Sequence, residues 1–190
     1  MTTRATFAKA VVLVEGLSDK VAVETLAARD GRNLKAEGAA VLAIGGAQAI
    51  RRSLAGYGDD VRLAGLCDAG EEDDFRRALE EAGLGSNLTR VGMERLRFYV
   101  CVQDLEDELI RALGAAGVER IVEAQGDLRA FRTLQKQPEW RGRPAEEQLH
   151  RFLGSGGRRK IRYARLLVEA LERDRIPWPL ARVLAATTSG

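Results

Sequence analysis

Histidine is almost missing from this sequence: His150 is the only one in 190 residues, and Cys67 and Cys101 are the only cysteines. A single imidazole and two thiols exclude zinc enzymes and leave little room for a histidine-centred triad. Each thiol lies inside an apolar run, so both read as reduced core residues and not as a disulfide framework. Long hydrophobic runs are lacking as well. The longest, Ala39 to Ile44, is strand-sized, far below the roughly 18 residues that a membrane span needs. No apolar stretch ending in a small-residue cleavage site follows Arg4 and Lys9, so no secretory leader is expected, and the cytoplasm is the expected compartment. Proline is confined to Pro138, Pro144, Pro177 and Pro179, all late in the chain.

What remains is a composition suited to a folded domain, with 45% hydrophobic and 31% charged residues. The length suits one ordinary domain with an appendage. The net charge of +2 hides an asymmetry. Residues 1–115 hold 15 basic and 19 acidic residues, whereas residues 116–190 hold 15 basic and 9 acidic. An acidic first part followed by a basic second part fits a cation site beside a polyanion-binding surface. Ordinary solvated charge is the plain alternative.

Hydrophobic patterning predicts four buried strands, at residues 10–14, 39–44, 61–67 and 97–102, the first two continuous apolar runs of the kind found in parallel sheets. Helices are expected at 19–29, 47–55 and 75–82, with Ser18 placed to cap the first and Asp30-Gly31 to close it. Alternating strands and helices argue for a parallel sheet covered on both faces, with right-handed crossovers. Past Gly114 only helical patterns remain, at about 118–124, 128–135, 145–153, 160–173 and 180–186, with the prolines between them. The expected organisation is an α/β unit over residues 1–115 followed by a helical appendage over 116–190.

In an open parallel sheet, ligands bind outside the carboxyl ends of the strands. Glu15 ends the first strand and Asp68 the third. Asp19 follows Glu15 by four residues across a strand-to-helix turn, and Glu71 and Glu72 follow Asp68 closely. Converging carboxylates repel unless a cation lies between them, and oxygen donors without histidine suit Mg²⁺ or Mn²⁺. Taken one at a time, these residues are better explained as acids at helix N-termini; their shared position at strand ends favours a metal site.

Val14-Glu15-Gly16-Leu17-Ser18-Asp19-Lys20 resembles the glutamate motif of Toprim domains, found in topoisomerases, primases and several nucleases. Gly45-Gly46 after the second strand and Asp68 after the third fit the same order. Within Toprim domains the sequence is most similar to the C-terminal domain of overcoming-lysogenization-defect (OLD) nucleases, over nearly its whole length. In that branch an acidic helix start follows the fourth strand, as in Asp104-Leu-Glu106-Asp-Glu108, and a late lysine opens a helix, as in Lys160-Ile-Arg-Tyr-Ala164. The resemblance implies a Rossmann-like four-stranded parallel sheet and a DNA nuclease using two Mg²⁺ or Mn²⁺ ions. It also implies Glu15, Asp19, Asp68 and Glu106 or Glu108 as ligands, with Glu15 and Lys160 in catalytic roles.

The segment from His150 to Val168 has six basic residues and no acidic one. Arg158, Arg159, Lys160, Arg162 and Arg165 are therefore expected to follow a phosphate backbone. Trp140 and Trp178, beside prolines, are expected to pack there in preference to stacking on bases. Toprim domains usually carry Asp-x-Asp after the third strand, and here Gly70 stands at the second position, which Glu71 or Glu72 would have to fill. A module with a weakened metal site that binds nucleic acid for a partner is thus one alternative, and nucleotidyl transfer is another. OLD nucleases carry an ATPase domain ahead of the Toprim domain. No Gly-x-x-x-x-Gly-Lys-Ser/Thr loop occurs in this sequence, so an ATPase is expected as a separate partner. Cutting both strands from a single active site per chain would favour a homodimer.

Overall fold

A computed structural model describes residues 8–58 and 60–188. Four strands, β1 (Ala10–Val14), β2 (Ala39–Ala43), β3 (Arg62–Cys67) and β4 (Phe98–Val100), form one sheet in the order β2-β1-β3-β4. All pairs are parallel, with Val14 opposite Ala43 on one side and Leu66 on the other. Alternate residues of β1 serve opposite faces. Val12 and Val14 point into one apolar cluster, Val11 and Leu13 into another, and all four are fully buried. A strand buried on both sides reads as a continuous apolar run, which is why β1 was legible in sequence.

The connections cover both faces of the sheet. Helix α1 (Leu17–Arg29) covers the Val12 face on its way to β2. Helices α2 (Ile50–Leu54), α3 (Glu72–Glu81) and α4 (Arg90–Arg95) cover the Val11 face between β2, β3 and β4. Because β2 lies on one side of β1 and β3 on the other, the winding reverses there, and the carboxyl ends of β1 and β3 frame a crevice.

Six further helices follow β4: α5 (Leu105–Leu113), α6 (Ala115–Ala124), α7 (Leu128–Gln135), α8 (Ala145–Leu153), α9 (Gly157–Ala170) and α10 (Trp178–Ala185). Their buried residues, among them Leu109, Val118, Phe131, Leu149, Leu167 and Val183, share one core with α1 and the Val12 face of the sheet. Arg29 at the end of α1 donates to the carbonyls of Val168 and Leu171, joining α1 to the end of α9.

Several expected boundaries shift for local reasons. The fourth strand begins at Phe98 and not Arg97, because Arg97 sits at φ 68°, outside extended geometry. The third helix starts at Glu72, three residues early, since acidic residues are favourable in a first turn. The helix expected at 47–55 is a 3-10 turn (Ala47–Ala49) continued by α2, and the one expected at 160–173 is α9, starting at Gly157. Helix α4 had not been expected.

Candidate functional site

Five carboxylates meet at the crevice, each delivered by the end of a strand or the start of the helix after it. Glu15 follows β1, and its backbone carbonyl accepts from the N–H groups of Gly45 and Gly46 at 3.0 and 3.2 Å. Those glycines sit at φ 82° and 109°, conformations that L side chains rarely adopt, so the turn after β2 can fold back against β1. Asp19 lies in the first turn of α1, buried, and its Oδ2 accepts from the N–H of Gly16 at 2.9 Å. Asp68 follows β3. Asp104 caps α5, and Glu106 lies one residue inside that helix, 4% exposed.

One cation acts on all five. Lys160, in the first turn of α9, acts electrostatically on Glu15, Asp19, Asp68, Asp104 and Glu106, and its Nζ lies 3.1 Å from Glu106 Oε2. A lysine at a helix N-terminus opposes the helix dipole, so this placement is sustained by the carboxylates. Burial alone would lower the proton affinity of Lys160, yet Glu106, Asp19 and Asp68 hold it above the usual lysine range.

The acids respond as crowded like charges do. Burial, then Asp19, Asp104 and Glu15, push the Asp68 carboxyl up to about 8. Burial also raises Asp19, Glu106 and Glu15, with Glu71 and Asp19 adding to the effect on Glu15. Burial pushes Asp104 the same way, but hydrogen bonds from His150 and the N–H of Asp107 outweigh it and keep Asp104 below the usual range. Two buried oxygens, Glu15 Oε2 and Glu106 Oε1, have no hydrogen-bond partner. Orphaned carboxylate oxygens among excess negative charge are a donor set that fits a hard divalent cation. Among the described residues, no three acidic, histidine or cysteine side chains already stand in metal-ligand geometry. Glu15, Asp19, Asp68 and Glu106 are the residues that would have to close on an ion.

The other expected acids sit differently. Glu108 accepts from the N–H of Val102 at 2.8 Å and pairs with Arg111 at 2.9 Å, engaged at the α5 start. Glu72 pairs with Arg90 on α4, and Glu71 acts on Glu15. Sequence reasoning passed over Asp104 as a site residue and gave His150 no part in the site. In fact His150 on α8 places Nε2 2.5 Å from Asp104 Oδ2. The signal for Asp104 was available, since it directly follows the fourth strand; nothing local predicts the histidine, 46 residues away.

Beside Lys160, Arg158, Arg159 and Arg162 line a groove with Ser155, Gly156 and Gly157. The first turn of α9 holds no acid, so its free N–H groups and the arginines present positive potential together. Arg159 is held by Ser155 Oγ at 2.6 Å and lies over the Phe152 ring. Arg162 pairs with Asp127, and Arg165 with Glu169 at 3.1 Å. Trp178 packs edge-on against Tyr99 with its ring half exposed, and Trp140 lies under Arg143.

Residues 6–57 match the family described as overcoming lysogenization defect protein-like, TOPRIM domain. Among solved structures, the C-terminal region of the Xanthomonas campestris pv. campestris OLD protein is 21% identical, with a TM-score of 0.72 over 95% of this chain and 92% of that one. The C-terminal region of the Burkholderia pseudomallei OLD protein is 18% identical, with a TM-score of 0.70 over 95% of this chain and 97% of that one. At these identities the likeness speaks for the fold. No curated protein matches the chain. No helix among the described residues is long and apolar enough to cross a membrane.

Proposed function

We propose that this chain, a Toprim domain related to the C-terminal region of OLD-family proteins, is a metal-dependent nuclease that hydrolyses DNA phosphodiester bonds. The observation that carries the reading is the meeting of five carboxylates around the single ammonium of Lys160 at the switch point of the sheet. Glu15, Asp19, Asp68 and Glu106 would hold Mg²⁺ or Mn²⁺, two ions in this reading, and these would supply Lewis-acid polarisation of the scissile phosphate. Lys160, fixed by Glu106, offsets negative charge growing on the phosphate in the transition state. Arg158, Arg159, Arg162 and Arg165 lie along α9, where they would follow the DNA backbone. DNA is the proposed partner, with an ATPase supplied as a separate chain and a homodimer presenting two sites to two strands.

A second reading has an observation of its own. Gly70 brings no carboxylate, and no ligand shell stands preformed among the described residues, which favours a module that binds nucleic acid for a partner. Plasmid cleavage with Mg²⁺, Mn²⁺ or EDTA separates the two. Nicking that needs metal and vanishes in the Glu15→Ala, Asp68→Ala double variant supports the nuclease. Retention of DNA without nicking under every metal favours the binding module. Incorporation of labelled nucleotide would reveal transfer in place of hydrolysis.

A further inference from the structure

The loop after β3 lacks the second acid that a Toprim site usually carries, and the residue there is Gly70. A Cβ built on Gly70 would meet no heavy atom within 4 Å, so the position is open and the missing side chain leaves a real gap. Of the two expected substitutes, Glu71 acts on Glu15. Glu72 is turned to Arg90, and Asp68 feels Asp19, Asp104 and Glu15 as its neighbouring charges.

The neighbouring strand end offers another source. The N–H of Ala69 donates to the carbonyl of Gln103 at 2.9 Å, which stitches the two loops together one residue before Gly70 and one before Asp104. Asp104 acts electrostatically on Asp68, Asp19 and Glu106. Glu106, from the same turn, is 4% exposed and leaves Oε1 without a partner. That buried, unsatisfied oxygen independently calls for a positive ligand at this spot.

We infer that Asp104, held in place by His150, supplies the carboxylate that Gly70 lacks in the cation site. Asp104 Oδ1 accepts from the N–H of Asp107 at 2.8 Å, and Oδ2 accepts from His150 Nε2 at 2.5 Å. Each oxygen keeps a lone pair for a cation, because a carboxylate has about four acceptor positions. His150 is then a positioning residue, acting on the ligand from outside as the hydrogen-bonding partners of metal ligands do.

The inference rests on the metal-dependent reading, and Mn²⁺ binding by the intact chain, followed by calorimetry, distinguishes the failure of one from the failure of the other. The expected result is Mn²⁺ binding by the unmodified chain and a loss of about tenfold or more in affinity in Asp104→Asn, the range typical when a metal ligand or its hydrogen-bonding partner is lost. Gly70→Asp placed in the Asp104→Asn background restores affinity, since the open space at residue 70 accepts the side chain. His150→Ala weakens binding severalfold, and His150→Gln, which keeps an N–H donor, recovers it. Unchanged affinity in Asp104→Asn while Glu15→Gln binds more weakly overturns the inference and leaves the nuclease reading standing. A folded double variant that does not regain affinity overturns it as well, even where Asp104→Asn alone is unstable. If the unmodified chain binds no Mn²⁺, the metal-dependent reading itself falls.

Discussion

A carboxyl group that keeps its proton to about pH 8 makes the protein itself sensitive to pH, and Asp68 is such a group. Its proton is held by burial and by Asp19, Asp104 and Glu15, while the unfolded chain releases it near the ordinary 3.8. Between those values the folded state binds more protons than the unfolded state, so stability present in acid is lost as pH rises toward 8. Thermal melts of the cation-free chain should therefore fall from pH 5 to pH 8, and Asp68→Asn should flatten that decline and raise the melting temperature at pH 8. Mn²⁺ should raise the melting temperature more at pH 8 than at pH 6, because protons compete with the cation for the same oxygens. Removing the counter-charge should act in the opposite sense. Lys160→Met is expected to lower the melting temperature at pH 8 more than at pH 5, and to abolish nicking at either.

At the scale of elements, the crevice depends on how closely β3 and β4 approach. Gly65 on β3 lies against the ring of Phe98 on β4: a Cβ there would stand 2.4 Å from Phe98 Cδ1 and 3.2 Å from the Leu13 carbonyl. Gly65→Ala should cost about 1–3 kcal/mol in urea unfolding, as overpacked cores do. Combined with Phe98→Leu, the loss should be smaller than the sum of the two, since both changes act on one contact. Arg29 serves a comparable purpose between helices. Arg29→Ala leaves the carbonyls of Val168 and Leu171 without their donor and should cost about 1–3 kcal/mol.

The whole molecule is held by a core that ignores the change in composition after Gly114. Val12, Leu66 and Tyr99 of the sheet bury against the same cluster as Val118, Phe131, Leu167 and Val183. A fragment ending at residue 115 would expose that face and lose Lys160 with it, so it should bind a hydrophobic dye and show no cooperative melt. The basic residues that follow β4 act at the same scale. Charge reversal at Arg158 and Arg159 should weaken DNA binding across sequences and reduce its salt dependence by about one phosphate contact per residue, measured by fluorescence anisotropy at graded salt.

Sequence alone determined the four strands, most of the helices and the strand-end acids Glu15 and Asp68, because a parallel sheet buried on both faces writes its strands as continuous apolar runs and its ligands at their ends. The Toprim likeness pointed to Asp19, Glu106 and Lys160 through local motifs. Helix α4 stayed hidden because its six residues carry too little periodicity to read. Only the tertiary structure decided that Lys160 acts on all five carboxylates, that Glu72 turns instead to Arg90, and that Asp104 meets His150. The contacts of Lys160 and His150 join residues far apart in the chain, and they are set by how α5, α8 and α9 dock on α1 and on one another, which no local pattern records.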